Sequence, residues 1–229
     1  MPRLISGQIS YGLNPARQPQ SQFGREIFSV SVQANGLRTL RVLCEFDNLG
    51  LTRDVTYTVG SDWRPIECYI RIAEENRELG SGWFRFTPTS AEGEGFTINE
   101  GRFSQRIALE KPANAFGSHP ICSDIWKLAH VKPVVTDELQ VVDNCFNSSP
   151  LSDGSSGPIL LPRTYAYHYR GEEELTVESG TYTCHRFDWP VRGGKTLCMW
   201  TTLEDYLPIR MTYPEGEKIY DLVELNIRD

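Results

Sequence analysis

Four histidines carry the side chains that titrate nearest neutral pH, so a search for acid–base chemistry starts with them. His119 lies in Phe116-Gly117-Ser118-His119-Pro120, where a glycine turn and a polar pair precede the helically spaced Ile121, Ile125, Leu128 and Ala129. A histidine at a helix N-terminus tends to stay neutral, which suits a base or a neutral hydrogen-bond donor. Asp124 follows about one turn later and could orient His119 or act as a second acid–base group. The plainer reading is that Ser118 and His119 cap the helix and Asp124 favours its first turn. His185 shares one strand face with Thr181, Thr183 and Phe187. There it is either a general base or a hydrogen-bonded structural residue. His168 shares its face with Ala166 and Arg170.

A second set of residues has the character of a binding surface. Tyr165, Tyr167 and Tyr169 fall on one face of a strand. Such a stripe lines an aromatic-ligand pocket or forms a packing ladder. Arg53 shares a face with Val55, Tyr57 and Val59, and Arg41 with Leu37 and Leu43. Arg85 shares one with Ser81 and Trp83 and is flanked by Phe84 and Phe86. A guanidinium on an apolar face is paired, with Glu45, Asp54 and Glu67 as candidate partners, or it binds an anionic group. Trp83 and Trp200 are the further aromatic candidates for the lining.

No metal site is expected, because nothing in the spacing of His119, His168 and His185 makes them converge with a carboxylate. GxSxG, HExxH, GxxxxGK[ST] and a GxGxxG following a strand are all absent, so no organic cofactor is expected.

The elements that must position these residues are strands. Phe28, Val30, Val32 and Ala34 alternate with Ser29, Ser31 and Gln33, Asn35-Gly36 follows, and a second alternating run covers 37–46. Asn-Gly between two such runs is a strong hairpin signal. Further runs at 51–59, 66–72, 79–87, 95–98 and 101–109 continue an antiparallel meander. The helical spacing predicts a helix over 118–130, and 131–158 reads as irregular, with loop chemistry at Ser148-Ser149-Pro150 and Gly154-Ser155-Ser156-Gly157. Strands resume at 159–170, 174–178, 181–189, 195–202, 207–213 and 218–227. No linker composition divides the halves. The expected architecture is all-β: one domain over 1–229, a meander closing into an open or closed barrel, with an inserted helix and loop at about 118–158.

Composition sets outer limits. The 229 residues carry 23 Lys+Arg against 30 Asp+Glu, a net charge of −7 that disfavours nucleic acid. No run of about 20 apolar residues is present, so no membrane partner is expected. The chain opens without the apolar core of a signal peptide, which points to the cytoplasm. In that compartment the six cysteines, with no CxxC pair, are expected to be buried reduced thiols.

The C-terminal third carries a recognisable order. Val177-Glu178-Ser179-Gly180-Thr181-Tyr182 forms a glycine hairpin, followed by Met199-Trp200, Leu207-Pro208-Ile209-Arg210 and Tyr220-Asp221-Leu222-Val223-Glu224-Leu225. This order resembles a bacterial family of domains of unknown function that form open or closed antiparallel β-barrels, similar in shape to periplasmic lipoprotein-carrier barrels. The first half matches only weakly. The resemblance implies a barrel with a hydrophobic interior and no settled chemistry.

Together the residues point to a cofactor-independent enzyme that binds an apolar or aromatic small molecule inside the barrel. Its chemistry would be proton transfer of lyase, isomerase or cyclase type, with His119 or His185 as base, a tyrosine or Asp124 as acid, and an arginine on an anionic group. The alternatives are a non-catalytic carrier or sensor of a hydrophobic metabolite, and an interaction protein with a packed interior. A homodimer is compatible with each.

Overall fold

A computed structural model describes residues 2–13, 22–75, 77–151, 154–191, 193–213 and 217–229. Its strands run in chain order as β1 (Arg3–Leu13), β2 (Gln22–Val32), β3 (Arg38–Phe46), β4 (Leu51–Val59), β5 (Pro65–Glu74), β6 (Arg77–Phe86), β7 (Ser90–Thr97) and β8 (Gly101–Ala108). After β9 (Ala115–Gly117) come the short helix α1 (Ile121–Asp124) and a 3-10 helix, Ile125–His130. Then follow β10 (Gln140–Asn147), β11 (Leu161–Val177), β12 (Gly180–Val191), β13 (Lys195–Thr202), β14 (Pro208–Thr212) and β15 (Lys218–Arg228).

The strands form one sheet in the order β8-β7-β6-β5-β4-β3-β2-β1-β15-β14-β13-β12-β11-β10-β9. Every pairing is antiparallel except β9–β10. β8 and β9 are the two ends of that order and do not pair, so the barrel is not strictly closed. The all-β expectation holds. Alternation works because the buried inward positions of β2–β5 are, apart from Glu26 and Arg53, not charged, while their neighbours face out, as with Val55 and Tyr57 against Asp54 and Thr56.

Two stretches read differently from the expectation. β1 alternates buried Ile5, Ile9 and Tyr11 with polar residues, but Gly7 interrupts its apolar face. Gly7 is required there: a Cβ would sit 2.8 Å from the Phe28 ring and closer still to the Glu224 carbonyl. β10 lies inside the segment expected to be irregular, because a register break between Val142 and Cys145, with Asn144 at φ 48°, scrambles its alternation.

The expected helix over 118–130 is a four-residue α-turn and a six-residue 3-10 turn. Pro120 is the residue that caps it and supplies no side-chain hydrogen bond. The cap comes from across the fold. Glu26 on β2 accepts hydrogen bonds from the backbone N–H groups of Ile121 and Cys122, and from the Tyr11 hydroxyl. Two strands away, Arg53 on β4 donates Nε to the Ser118 carbonyl at 2.9 Å and Nη1 to the Gly154 carbonyl at 2.6 Å. Its Nη2 reaches Ser148 Oγ at 2.8 Å. Glu26, Cys44 and Arg53 are direct cross-strand neighbours on the inner face. The row therefore offers acceptors at one end and donors at the other to a polypeptide that crosses the interior.

That polypeptide fills the roll. Phe116 packs on Tyr57, Phe84 and Phe86. Gln105 on β8 bonds both the N–H and the carbonyl of Leu160, taking the place of a strand partner. Gly82 has no side chain because Pro158 lies where a Cβ would be, 2.9 Å away.

Two outcomes test this arrangement. Arg53→Met leaves two carbonyls and Ser148 without their buried donor, and should cost about 3 kcal/mol in urea unfolding. Burial raises the Glu26 pKa above its ordinary 4.5, so the folded state holds that proton more tightly than the unfolded chain. The Glu26 contribution to stability should therefore fall as pH rises from 4.5 through the raised value. Urea midpoints between pH 4.5 and 7 should decline more steeply in the native protein than in Glu26→Gln. Equal slopes would contradict this.

Candidate functional site

The register places the start of β1 and the β2–β3, β4–β5 and β13–β14 turns at one end of the roll. Two aromatic residues at that end adopt left-handed backbone conformations, Trp63 at φ 64° and Tyr206 at φ 49°. A bulky residue there costs about 1 kcal/mol or more, so the surroundings must hold it. The two rings hold each other, edge-on at 5.3 Å. Trp63 also packs against Trp126 of the 3-10 helix at 5.7 Å, and the Arg38 guanidinium lies over its face at 4.0 Å.

Tyr206 continues the stack to His185, whose ring centroid is 6.0 Å away. His185 Nδ1 is hydrogen-bonded to the Tyr169 hydroxyl at 3.0 Å, and the Glu172 carboxylate lies 3.9 Å from the same nitrogen. His185 is 8% exposed and Tyr169 3%. Burial, followed by the nearby Glu172 and Tyr206, pushes the Tyr169 phenol above its usual range, so it stays protonated at neutral pH. The result is an imidazole–phenol pair at the edge of the interior, continuous with an aromatic stack.

His185 and Tyr169 are thus brought together, and the other expected site residues fall elsewhere. Asp124 accepts a hydrogen bond from the His119 backbone N–H at 3.2 Å and pairs with Lys127 Nζ at 3.1 Å. Lys127 is 3% exposed and lies 4.4 Å from the centre of the Tyr165 ring. Opposing desolvation, Asp124 leaves this ammonium's pKa raised, so it is a charged structural group. His119 packs beside Gly154, and no contact among the described residues joins it or Asp124 to His185.

Tyr165 and Tyr167 stack at 6.3 Å and both pack on Trp189, the arrangement of a packing ladder. Arg53 faces inward as expected, but the hydrogen bonds it makes among the described residues go to main-chain carbonyls and Ser148, not to Asp54 or Glu67. Glu45 pairs with Arg25 instead.

Trp83 and Arg85 require a correction. Both are on the outer face and exposed. The flanking Phe84 and Phe86 are the inward residues, so a face that reads as apolar in sequence is the solvent side. Arg41 is outward and exposed for the same reason. Trp200 is also outward; its indole N–H donates to Glu173, and Arg186 lies 5.4 Å from the ring.

Several site residues escape the sequence reading: Trp63, Tyr206, Arg3 and Arg38. All belong to turns or strand ends, where alternation carries no signal. Among the described residues, no group of three His, Cys, Asp or Glu side chains is placed to hold a metal ion. All six cysteines are free, and all but Cys198 are buried. No described helix is long and apolar enough to cross a membrane. Two concavities, of about 560 and 450 Å³, lie beside β6–β8 and around Arg64, Phe86 and Pro112, and neither opens among the three tyrosines.

Comparison with known proteins agrees with this architecture and is silent on chemistry. No known family profile matches the chain, and no curated protein matches it. Among solved structures, the chain is similar to a beta-barrel-like protein of a domain of unknown function, DUF1849, from Brucella abortus. The identity is 10%, the TM-score 0.53, and the match covers 100% of this chain and 98% of that one. It is also aligned with a protein of the DUF1089 family from Pseudomonas aeruginosa, at 11% identity and a TM-score of 0.42, over 83% of this chain and 90% of that one. The first likeness shows a shared barrel-like fold.

The Lys127–Asp124 pair gives a direct test of its structural role. Lys127→Met strands a half-buried carboxylate beside Tyr165 and should cost about 2 kcal/mol. Adding Asp124→Asn should recover part of that loss in thermal unfolding.

Proposed function

We propose that this protein carries out cofactor-independent proton transfer on an apolar or aromatic small molecule held at the end of the roll. The observation that carries this reading is the Tyr169–His185 hydrogen bond at the end of the Trp63–Tyr206 stack. Two tautomers of the pair are chemically distinct. In one, Tyr169 donates to Nδ1 and Nε2 carries the imidazole proton. In the other, Nδ1–H donates to the phenol oxygen, Nε2 is a base, and the phenol proton turns outward. A carbon-bound proton taken at Nε2 creates an imidazolium. That imidazolium passes its Nδ1 proton to Tyr169 as the phenol proton moves to another atom of the ligand. One proton leaves the ligand and one returns, so the net change is an isomerisation.

A non-catalytic carrier is the second reading. It is favoured by the aromatic stack, which offers flat rings to a guest without requiring the pair to react.

Deuterium exchange into the methyl group of acetophenone, followed by NMR in D₂O, separates the two. The proposal expects exchange at least about 100-fold above buffer, lost in His185→Gln and cut about tenfold or more in Tyr169→Phe. His119→Ala should leave it unchanged. A rate equal to buffer would overturn the enzymatic reading and leave the carrier.

A further inference from the structure

The end of the roll also holds an uneven set of charges. Among the described residues, Arg3 at the start of β1 and Arg38 at the start of β3 share a single carboxylate, Asp205, in the β13–β14 turn. Arg3 Nη2 donates directly to Asp205 Oδ2. Arg38 Nη2 is 3.8 Å from Oδ1, and its Nη1 donates to the Gly36 carbonyl at 2.8 Å. The Nε atoms of both arginines are buried, with no hydrogen-bond partner among the described residues. Two guanidiniums with ten N–H donors between them therefore face one carboxylate.

This placement is unfavourable for the protein alone. Arg38 is largely desolvated and repelled by Arg3, and both effects push its pKa down. Its guanidinium plane is fixed over Trp63, and Asp205 is the residue next to Tyr206, so the charges and the aromatic stack form one continuous surface. An oxyanion would satisfy the spare donors and balance the second guanidinium of the Arg3–Arg38–Asp205 group.

We propose that Arg3 and Arg38 are the anion-binding half of the ligand site. The ligand class is then an aromatic molecule bearing a carboxylate, sulfonate or phosphate group, with its ring against Trp63 and Tyr206 and its reactive portion toward His185. This inference rests on the reading of the Tyr169–His185 end as the ligand site and names what that site selects.

A pair of dyes differing by one anionic group tests it on the full chain. The probes are 8-anilinonaphthalene-1-sulfonate and its uncharged parent N-phenyl-1-naphthylamine, each titrated by fluorescence. The sulfonate should bind about tenfold tighter than the parent. Arg38→Gln and Arg3→Gln should each remove about tenfold of sulfonate affinity and leave the parent dye unchanged. Arg38→Lys should retain most of the preference. Asp205→Asn removes the competing carboxylate and should tighten the sulfonate severalfold, an effect that loss of a purely structural ion pair would not produce.

If Trp63→Ala weakens both dyes but the arginine variants leave their ratio unchanged, the anion site is wrong and the ligand site stands. If Trp63→Ala affects neither dye, or neither dye binds, the ligand site itself is wrong and this inference falls with it. A circular-dichroism melt of each variant confirms that it is folded before its affinities are read.

Discussion

The interior of this protein depends on one bipolar row. Glu26, Cys44 and Arg53 sit side by side on three adjacent strands, facing inward. A carboxylate and a guanidinium separated by two strand spacings, about 10 Å, are too far apart to satisfy each other. Each instead holds main chain: Glu26 takes N–H groups at the start of α1, and Arg53 takes the carbonyls of Ser118, just before it, and of Gly154. Buried backbone must be hydrogen-bonded, and an irregular segment crossing a barrel has no strand neighbour for that purpose. The row supplies the missing partners, and Gln105 does the same for Leu160 at the open edge. A sheet of this size can thus be filled by its own chain.

The same constraint separates structural polarity from polarity that is free to act. Arg53 and Lys127 look like ligand-binding cations in a list of buried charges, but each is committed to holding the inserted segment. Asp124 is committed to the turn that enters α1, where it accepts the His119 backbone N–H, and to Lys127. Where the turns meet, the Nε atoms of Arg3 and Arg38 are buried without a hydrogen-bond partner among the described residues, beside Asp205 and the Trp63–Tyr206–His185 stack. Strained backbone at Trp63 and Tyr206 lies in the same place. Positive-φ aromatics in contact are costly on their own and are expected where geometry serves a site.

The strands were legible because apolar and polar residues alternate over most of the sheet, and turns such as Asn35-Gly36 carry their own signal. Arg53 was readable as an inward charge from Val55 and Tyr57 on its face. Glu26 carries the same signal, two residues before Phe28 and four before Val30 on a buried face, and it marks the other end of the row. What alternation cannot give is absolute direction. In β6 the phenylalanines and the Trp83–Arg85 positions are both half apolar, and only the glycines at 80 and 82, flattened to admit the inserted segment, reveal which side is inside. The pairing of Tyr169 with His185 needs the bulge between Tyr169 and Gly171, which the sequence shows only as a glycine. The rim residues are invisible for a simpler reason: three turns and the start of β1, from distant parts of the chain, converge there.

The central claim is that ligand chemistry belongs to this rim and not to the middle of the barrel. A crystal structure of the protein soaked with 8-anilinonaphthalene-1-sulfonate tests it most directly. The account predicts the aromatic rings against Trp63 and Tyr206, the sulfonate within hydrogen-bond distance of Arg3 and Arg38, and His185 at the far edge. Dye among Tyr165, Tyr167 and Trp189, or only in the groove by Phe96 and Phe103, would contradict it.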